Sequence, residues 1–226
     1  LLEYIHNIMS NFQVQKGNLV QELYTSRKNI LNYLKKQNYD TSSYDDFSIA
    51  EIVAMNNSIK QNDSFTGLDF TVHNSEKKCS VFYYLKPSTI KQNTLENMVM
   101  EYFEENENKS NAIMILIMQG NVNDTVKKTV QTLWKRYNEQ VIVFEMKTLL
   151  FNIFEHCYVP EHIKLNEEEK QSLYKEKNIK DNSQLPEISM FDPVAKAMLM
   201  KPGDICKITR YDIISFNNVF YRICVI

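Results

Sequence analysis

The chain has 226 residues, of which 43% are hydrophobic and 24% charged, with a formal net charge of −2. That length holds one large domain or two small ones with buried cores, and the composition excludes disorder of the whole chain. The near-neutral charge supplies no global field toward nucleic acid or membrane, so such contacts must come from local patches. The longest apolar run, Ala112 to Met118, falls far short of the roughly 20 residues of a membrane-spanning helix.

The opening residues, with Glu3 and His6, carry no signal-peptide pattern. Leu19 to Gln37 is expected to be a helix with Leu23, Ile30, Leu31 and Leu34 on one stripe. A polar stretch rich in Asn, Asp and Ser separates it from "TGLDFTVH", where Leu68, Phe70 and Val72 alternate with polar residues as in a half-buried strand. "CSVFYYLKP" follows across "NSEKK" and stops at Pro87, which predicts a hairpin. Leu95, Met98, Val99, Tyr102 and Phe103 recur at helical spacing. "AIMILIM" is apolar throughout, as a central strand covered on both faces requires. The next helix is predicted to bury Val126, Val130, Leu133, Trp134 and Tyr137 and to be capped by the Asn/Asp residues before it, and "VIVFEM" reads as a further strand.

Four of the five prolines fall in the last third, so a boundary is placed near residue 150. Beyond it, "LNEEEKQSLYKEKN" predicts a short charged helix with a capping box between Asn166 and Glu169. "FDPVAKAML" predicts a helix capped by Asp192 with Pro193 in its first turn. "ICKIT" and "VFYRICVI" are expected to be paired strands. Cys79, Cys157, Cys206 and Cys224 form no CxxC pair and lie among apolar neighbours, so reduced, buried thiols are expected.

Two chemical candidates stand out. "EHCYVPEH" crowds His156, Cys157 and His162 with Glu155 and Glu161, but His-x5-His is not a usual local zinc spacing, and Pro160 keeps both histidines off one helix face. The reading favoured over a zinc-binding module is a structural segment with hydrogen-bonded histidines. The second candidate is Asp69 on a strand, followed by a hairpin strand that ends in Lys86, an arrangement used by metal-dependent nucleases. The position two before the lysine is Tyr84, whose phenol does not replace a carboxylate on magnesium. No phosphate-cradling glycine loop or Ser-His-Asp spacing is present in the sequence, and no cofactor or small-molecule substrate is implied. Lys127 and Lys128 are expected on an exposed helix start able to touch phosphates.

"LLFNIFEHCYVPEH", "LNEEEKQSLYKEKNI", "SQLPEISMFDPVAKAMLMKPGDICKITR" and "YRICVI" together resemble the assembly domain of the fifth shared subunit of eukaryotic nuclear RNA polymerases, whose archaeal counterpart contains this domain alone. "LYTSRKNILNYLKKQNY" and "IMILIMQGNVNDTVKK" fit the N-terminal part of the eukaryotic subunit in the same order. The resemblance implies an α/β or α+β protein of two domains. Residues 22–150 would form a jaw domain with a nuclease-like but degenerate α/β core, and residues 151–226 a small α+β assembly domain. Residues 1–21 would be an extension of unassigned role.

The same resemblance implies a non-catalytic subunit shared among nuclear polymerases I, II and III, located in the nucleus. Its partners would be the largest polymerase subunit, other core subunits and the backbone of downstream DNA. Gly120, Asn121, Asn123, Lys127 and Lys128 match the DNA-facing tip. Glu155, His156, Val159, Pro160, Glu161 and His162 match one part of the assembly interface; Asp192, Pro193, Val194, Gly203, Arg210, Tyr221 and Arg222 match the rest. The sequence departs from the family where "RYDIISFNNVFYR" replaces a Pro-Ser-Glu-Thr turn, although the Arg210 to Arg222 spacing is kept and the hairpin is expected to persist. A loop proline usual at the DNA-facing tip is also missing. The alternative function is a metal-dependent nuclease of restriction-endonuclease-like fold.

Overall fold

A computed structural model describes residues 2–58, 67–75, 77–86, 88–105, 111–212 and 216–226, with side chains described from residue 19 onward except at 56–58 and 212. The chain divides into two compact units, Leu1–Phe151 and Asn152–Ile226, each with its own four-stranded sheet.

In the first unit the strands β1 (Phe70–His73), β2 (Lys78–Tyr84), β3 (Ala112–Met118) and β4 (Gln140–Glu145) lie side by side in that order. β1 and β2 form the expected antiparallel hairpin, and β2, β3 and β4 run parallel. Parallel neighbours need crossovers, supplied by the α-helices Gln92–Glu104 and Asp124–Tyr137. Both crossovers step the same way along the sheet, and right-handed connections therefore put both helices on one face. The long N-terminal helix, Leu2–Lys36, meets the sheet through Tyr33 against Phe144 of β4 and ties to the turn after β4 through Asn29 Nδ2 on the Leu149 carbonyl at 2.8 Å. We number these helices α1 (Leu2–Lys36), α2 (Ile49–Ser58), α3 (Gln92–Glu104) and α4 (Asp124–Tyr137). Covered on both faces, every residue of β3 is at most 3% exposed.

Several details differ from the sequence expectation. α1 begins well before Leu19, and α2 lies within what was expected to be a polar stretch. Ile52 alone is fully buried in the described part of α2, so the apolar periodicity is weak. Its start is nevertheless signalled by a reciprocal pair: the Ser48 amide donates to Glu51 and the Glu51 amide to Ser48 Oγ. In α4, Val126, Val130 and Leu133 are buried, but Trp134 is half-buried and Tyr137 is 51% exposed. Thr129 takes the inward position. Tyr137 occupies the last turn, which Asn138 closes in the left-handed conformation (φ 56°), past the edge of the core.

In the second unit the order is β5 (Glu161–Lys164), β7 (Ile205–Asp212), β8 (Phe216–Val225), β6 (Glu187–Ser189), with α5 (Glu167–Glu176) and α6 (Pro193–Ala197). β7 and β8 pair antiparallel to Asp212 and Phe216, so the hairpin persists; the altered turn at 213–215 lies outside the described residues. Both expected caps form. Asn166 and Glu169 exchange side-chain to backbone bonds of 2.8 and 2.9 Å, and Asp192 accepts from the Val194 and Ala195 amides. One core cluster gathers Leu173 of α5, Leu185, Ile205 of β7 and Ile223 of β8. The short strands β5 and β6 were not legible in the sequence, since three or four residues carry no measurable alternation. No described helix is long and apolar enough to cross a membrane.

Candidate functional site

Asp69 precedes β1, Tyr84 ends β2 and Lys86 follows it, so the three residues expected to form a degenerate nuclease-like set lie toward the carboxyl end of β2. The Asp69 carboxylate accepts the Tyr83 backbone N–H at 2.8 Å, so it ties the hairpin's open end together. Beneath it lies a residue that sequence reasoning missed. Arg27 of α1 is 3% exposed, donates from Nη1 to the Leu68 carbonyl at 2.6 Å, and sits 4.5 Å from the Phe70 ring centroid with Phe47 and Tyr44 beyond. Burial lowers its pKa, opposed by the Tyr83 and Tyr44 phenols and the Asp69 carboxylate. The Tyr83 phenol is pushed up to about 12 by its own burial. The arrangement thus offers Asp69 a structural hydrogen bond and a nearby protein cation, and a phenol where a second carboxylate would stand.

The histidines of "EHCYVPEH" bond locally. His162 Nδ1 lies 2.7 Å from the Pro160 carbonyl, and His156 Nδ1 accepts the Tyr158 amide at 3.3 Å. Asn152 holds the segment's start, accepting the Phe154 amide and donating to Glu155 at 2.7 Å. Among the described residues no three His, Cys, Asp or Glu side chains gather as a metal-holding group. The expectation of four buried thiols fails at one position: Cys157 is exposed, because the segment turns through solvent at Tyr158, itself 88% exposed.

Cys79, Cys206 and Cys224 are buried, and burial pushes their thiols up, Cys206 to about 11 and Cys224 to about 12. At neutral pH one thiol per native chain, Cys157, is therefore expected to react rapidly with a maleimide, and all four after denaturation. A second fast thiol in the native chain would contradict this. The sign for stability follows from the raised values: the unfolded thiols ionise near pH 9 while the folded ones stay protonated. Their contribution is complete below that pH and is lost as pH rises through about 11 to 12. The denaturation midpoint should fall across that window.

The tip between β3 and α4 is held from inside. The Gln119 amide donates to the Tyr84 carbonyl and the Val122 amide to Glu145 Oε1 at 2.8 Å. Gly120, expected at the DNA-facing tip, is buried, because these bonds draw the turn onto the sheet end. Asn121, Asn123 and Lys128 are exposed, although Asn123 is also the helix cap, accepting the Val126 amide at 3.0 Å. Lys127 is half-buried and pairs with Asp124 at 3.6 Å, so the two lysines are not equivalent. A cleft of about 350 Å³ opens beside the tip, lined by Glu22, Thr89, Gln119, Gly120, Asn121 and Lys147.

Of the expected assembly residues, Glu155, His156, Glu161, Pro193 and Arg210 are exposed, and Val159, Pro160, His162, Asp192, Gly203, Tyr221 and Arg222 are half-buried. Val194, also expected at the assembly interface, is buried directly after the cap of α6. Three others serve the fold: Asp192 caps α6, Gly203 adopts φ +93° in the turn before β7, and Arg222 donates to the Glu187 carbonyl at 2.9 Å. Arg210 lies over the Phe220 ring at 5.2 Å. The hairpin also exposes Tyr211, Phe216, Val219 and Phe220, which sequence reading did not single out. Apolar residues at consecutive positions of "NNVFYR" were the available signal, because one sheet face cannot bury both parities.

The model of the RNA polymerase Rpb5 C-terminal domain matches residues 151–224. The archaeal RNA polymerase subunit Rpo5 of Thermococcus kodakarensis is 45% identical over 75 residues, covering 33% of this chain and 90% of that protein. The chain belongs to the Rpb5 family of RNA polymerase subunits. Among Rpb5 relatives, the Arabidopsis thaliana subunit 5B of RNA polymerases IV and V is 28% identical over 200 residues, 88% of each chain. The Caenorhabditis briggsae subunit RPABC1 of RNA polymerases I, II and III is 29% identical over 154 residues, 68% of this chain and 70% of that one. As an Rpb5 subunit the chain is a non-catalytic component of a multi-subunit RNA polymerase.

Proposed function

We propose that this Rpb5 subunit works in the nucleus as a part shared among polymerases I, II and III, docking through its C-terminal unit on the largest subunit and bringing its N-terminal unit beside downstream DNA. The observation that carries the reading is that the Rpb5 C-terminal domain model, matched over residues 151–224, coincides with the unit Asn152–Ile226, which has its own core. A unit that folds around its own core and presents exposed Tyr211, Phe216, Val219 and Phe220 suits a docking role. The N-terminal unit offers Lys128, with Lys127 behind it, and exposed Asn121 and Asn123 to a phosphate backbone, a contact that is independent of base sequence and weakened by salt. The plant relatives are named for polymerases IV and V, so polymerase class is the finer question.

Tagging the chain in its native source and identifying the largest subunits that co-purify decides it. Recovery of the largest subunits of I, II and III is expected. Recovery of one class alone would restrict the subunit to that class, and recovery of none would remove the docking reading. The nuclease alternative is the less favoured reading, since the Asp69 carboxylate accepts the Tyr83 amide and Tyr84 stands in place of an acid.

A further inference from the structure

The register of the second sheet leaves part of one edge without a paired strand among the described residues. β6 pairs only with Ile223–Val225, whereas β8 begins at Phe216. Backbone groups of successive strand residues point to alternate edges. The Ile223 amide donates to the Pro186 carbonyl and the Val225 carbonyl accepts the Met190 amide, so these residues face the β6 side. Cys224, between them, bonds the other way, to Gly203 and Asp204. By the same alternation Asn217, Val219 and Tyr221 direct their amides and carbonyls toward the stretch of edge that β6 does not reach. Among the described residues no strand pairs with them there.

Protein edges of this length are usually blunted by lysine, proline or a bulge. Here the edge residues are asparagine, valine and tyrosine, and β7 and β8 pair without interruption from Asp212 and Phe216 inward. Phe220 is 45% exposed on one face and Val219 44% exposed on the other; Phe216, at the strand's start with a left-handed φ of 55°, is 67% exposed, and its ring lies 6.4 Å from that of Tyr211. Register places Arg210 and Arg222 on the same face as Phe220. A complementary strand therefore carries apolar residues opposite Val219 and Phe220 and a carboxylate toward the arginines. A second copy of this chain would instead bring two more arginines to the same edge.

We propose that Asn217–Tyr221 is a strand-addition site, taking an extended, proline-free segment with adjacent apolar residues for the two faces and an acidic residue toward the arginines, from the polymerase subunit on which the C-terminal unit docks. This rests on the docking reading above and specifies its mode: backbone hydrogen bonds supply the grip and the flanking side chains the selectivity.

The test uses the full chain co-expressed with the largest subunit encoded by the same genome. Because the Val219 amide points outward, Val219→Pro removes an edge donor without removing a bond to β7. An affinity loss of about tenfold is expected, with the circular dichroism spectrum unchanged and Val219→Ile binding as wild type. Amide exchange in the wild-type complex gives a second reading that does not depend on any variant folding. Asn217, Val219 and Tyr221 should exchange at least about tenfold more slowly than in the free chain. A folded Val219→Pro chain that binds normally, or no slowing at these amides in a formed complex, would overturn the proposal. So would a wild-type chain that dimerises alone through this edge. Failure of the wild-type chain to bind the largest subunit removes the docking reading itself, a result distinct from the other three.

Discussion

Replacing Ile115 with alanine is expected to remove about 3 to 5 kcal/mol of stability from the first unit, the size of large-to-small changes at fully buried sites. Ile115 is the middle residue of β3, wholly inaccessible, with Val81 of β2 and Ile142 of β4 in register on either side. Neighbouring strands hydrogen-bonded on both sides cannot close over the space left behind, so the lost transfer energy adds to a cavity term. Ile115→Val removes one methylene and should cost only about 1 kcal/mol. The chain's single tryptophan, Trp134 of α4, reports this unit by fluorescence during urea unfolding. A shift equivalent to less than about 1 kcal/mol for Ile115→Ala would mean that β3 is not the tightly packed centre described above.

Arg27 supplies the second large effect, and two substitutions there separate charge from packing. Arg27→Ala removes the donor to the Leu68 carbonyl and the contacts with the Phe70, Phe47 and Tyr44 rings, leaving a void and a carbonyl without that partner. A loss of about 3 to 4 kcal/mol is expected from the cavity and the unmet carbonyl together. Arg27→Met keeps most of the volume and removes a buried charge whose desolvation already lowers its pKa. Its cost should be smaller, about 1 to 2 kcal/mol, the share of the lost carbonyl bond. Equal losses for the two variants would show that the guanidinium charge, rather than its packing, holds α1 to the start of β1.

Much of this fold is legible in the sequence because its signals are local. β3 announces itself as seven apolar residues in a row, and Asn123, Asn166 and Asp192 announce helix starts because a short polar side chain reaches only the amides just ahead of it. α2 escapes a reading of the letters although Ser48 and Glu51 carry the same kind of signal, since Ile52 alone does not make a stripe. β5 and β6 exist because β7 and β8 stand beside them, a relation between residues far apart in the chain.

The candidate sites divide along the same line. Tyr84 in place of an acid is visible in the letters and by itself argues against catalysis. That Asp69 is occupied by the Tyr83 amide depends on the pairing of β1 with β2. Gly120 and Val194 fit a family pattern yet are buried, because a turn drawn onto the sheet end and a capped helix hide them. Cys157, Tyr137 and Val219 are as apolar or as inert in the letters as their buried counterparts, and exposure sets them apart.

Strand and helix periodicity, the caps and the family to which the chain belongs were thus determined by the sequence alone, since each depends on residue types at fixed short spacings. Which carboxylate is tied down, which thiol meets solvent and which strand edge has no strand beside it among the described residues were decided only by the tertiary structure. Those properties depend on what distant segments bring into contact or leave uncovered, and spacing along one chain carries no record of it.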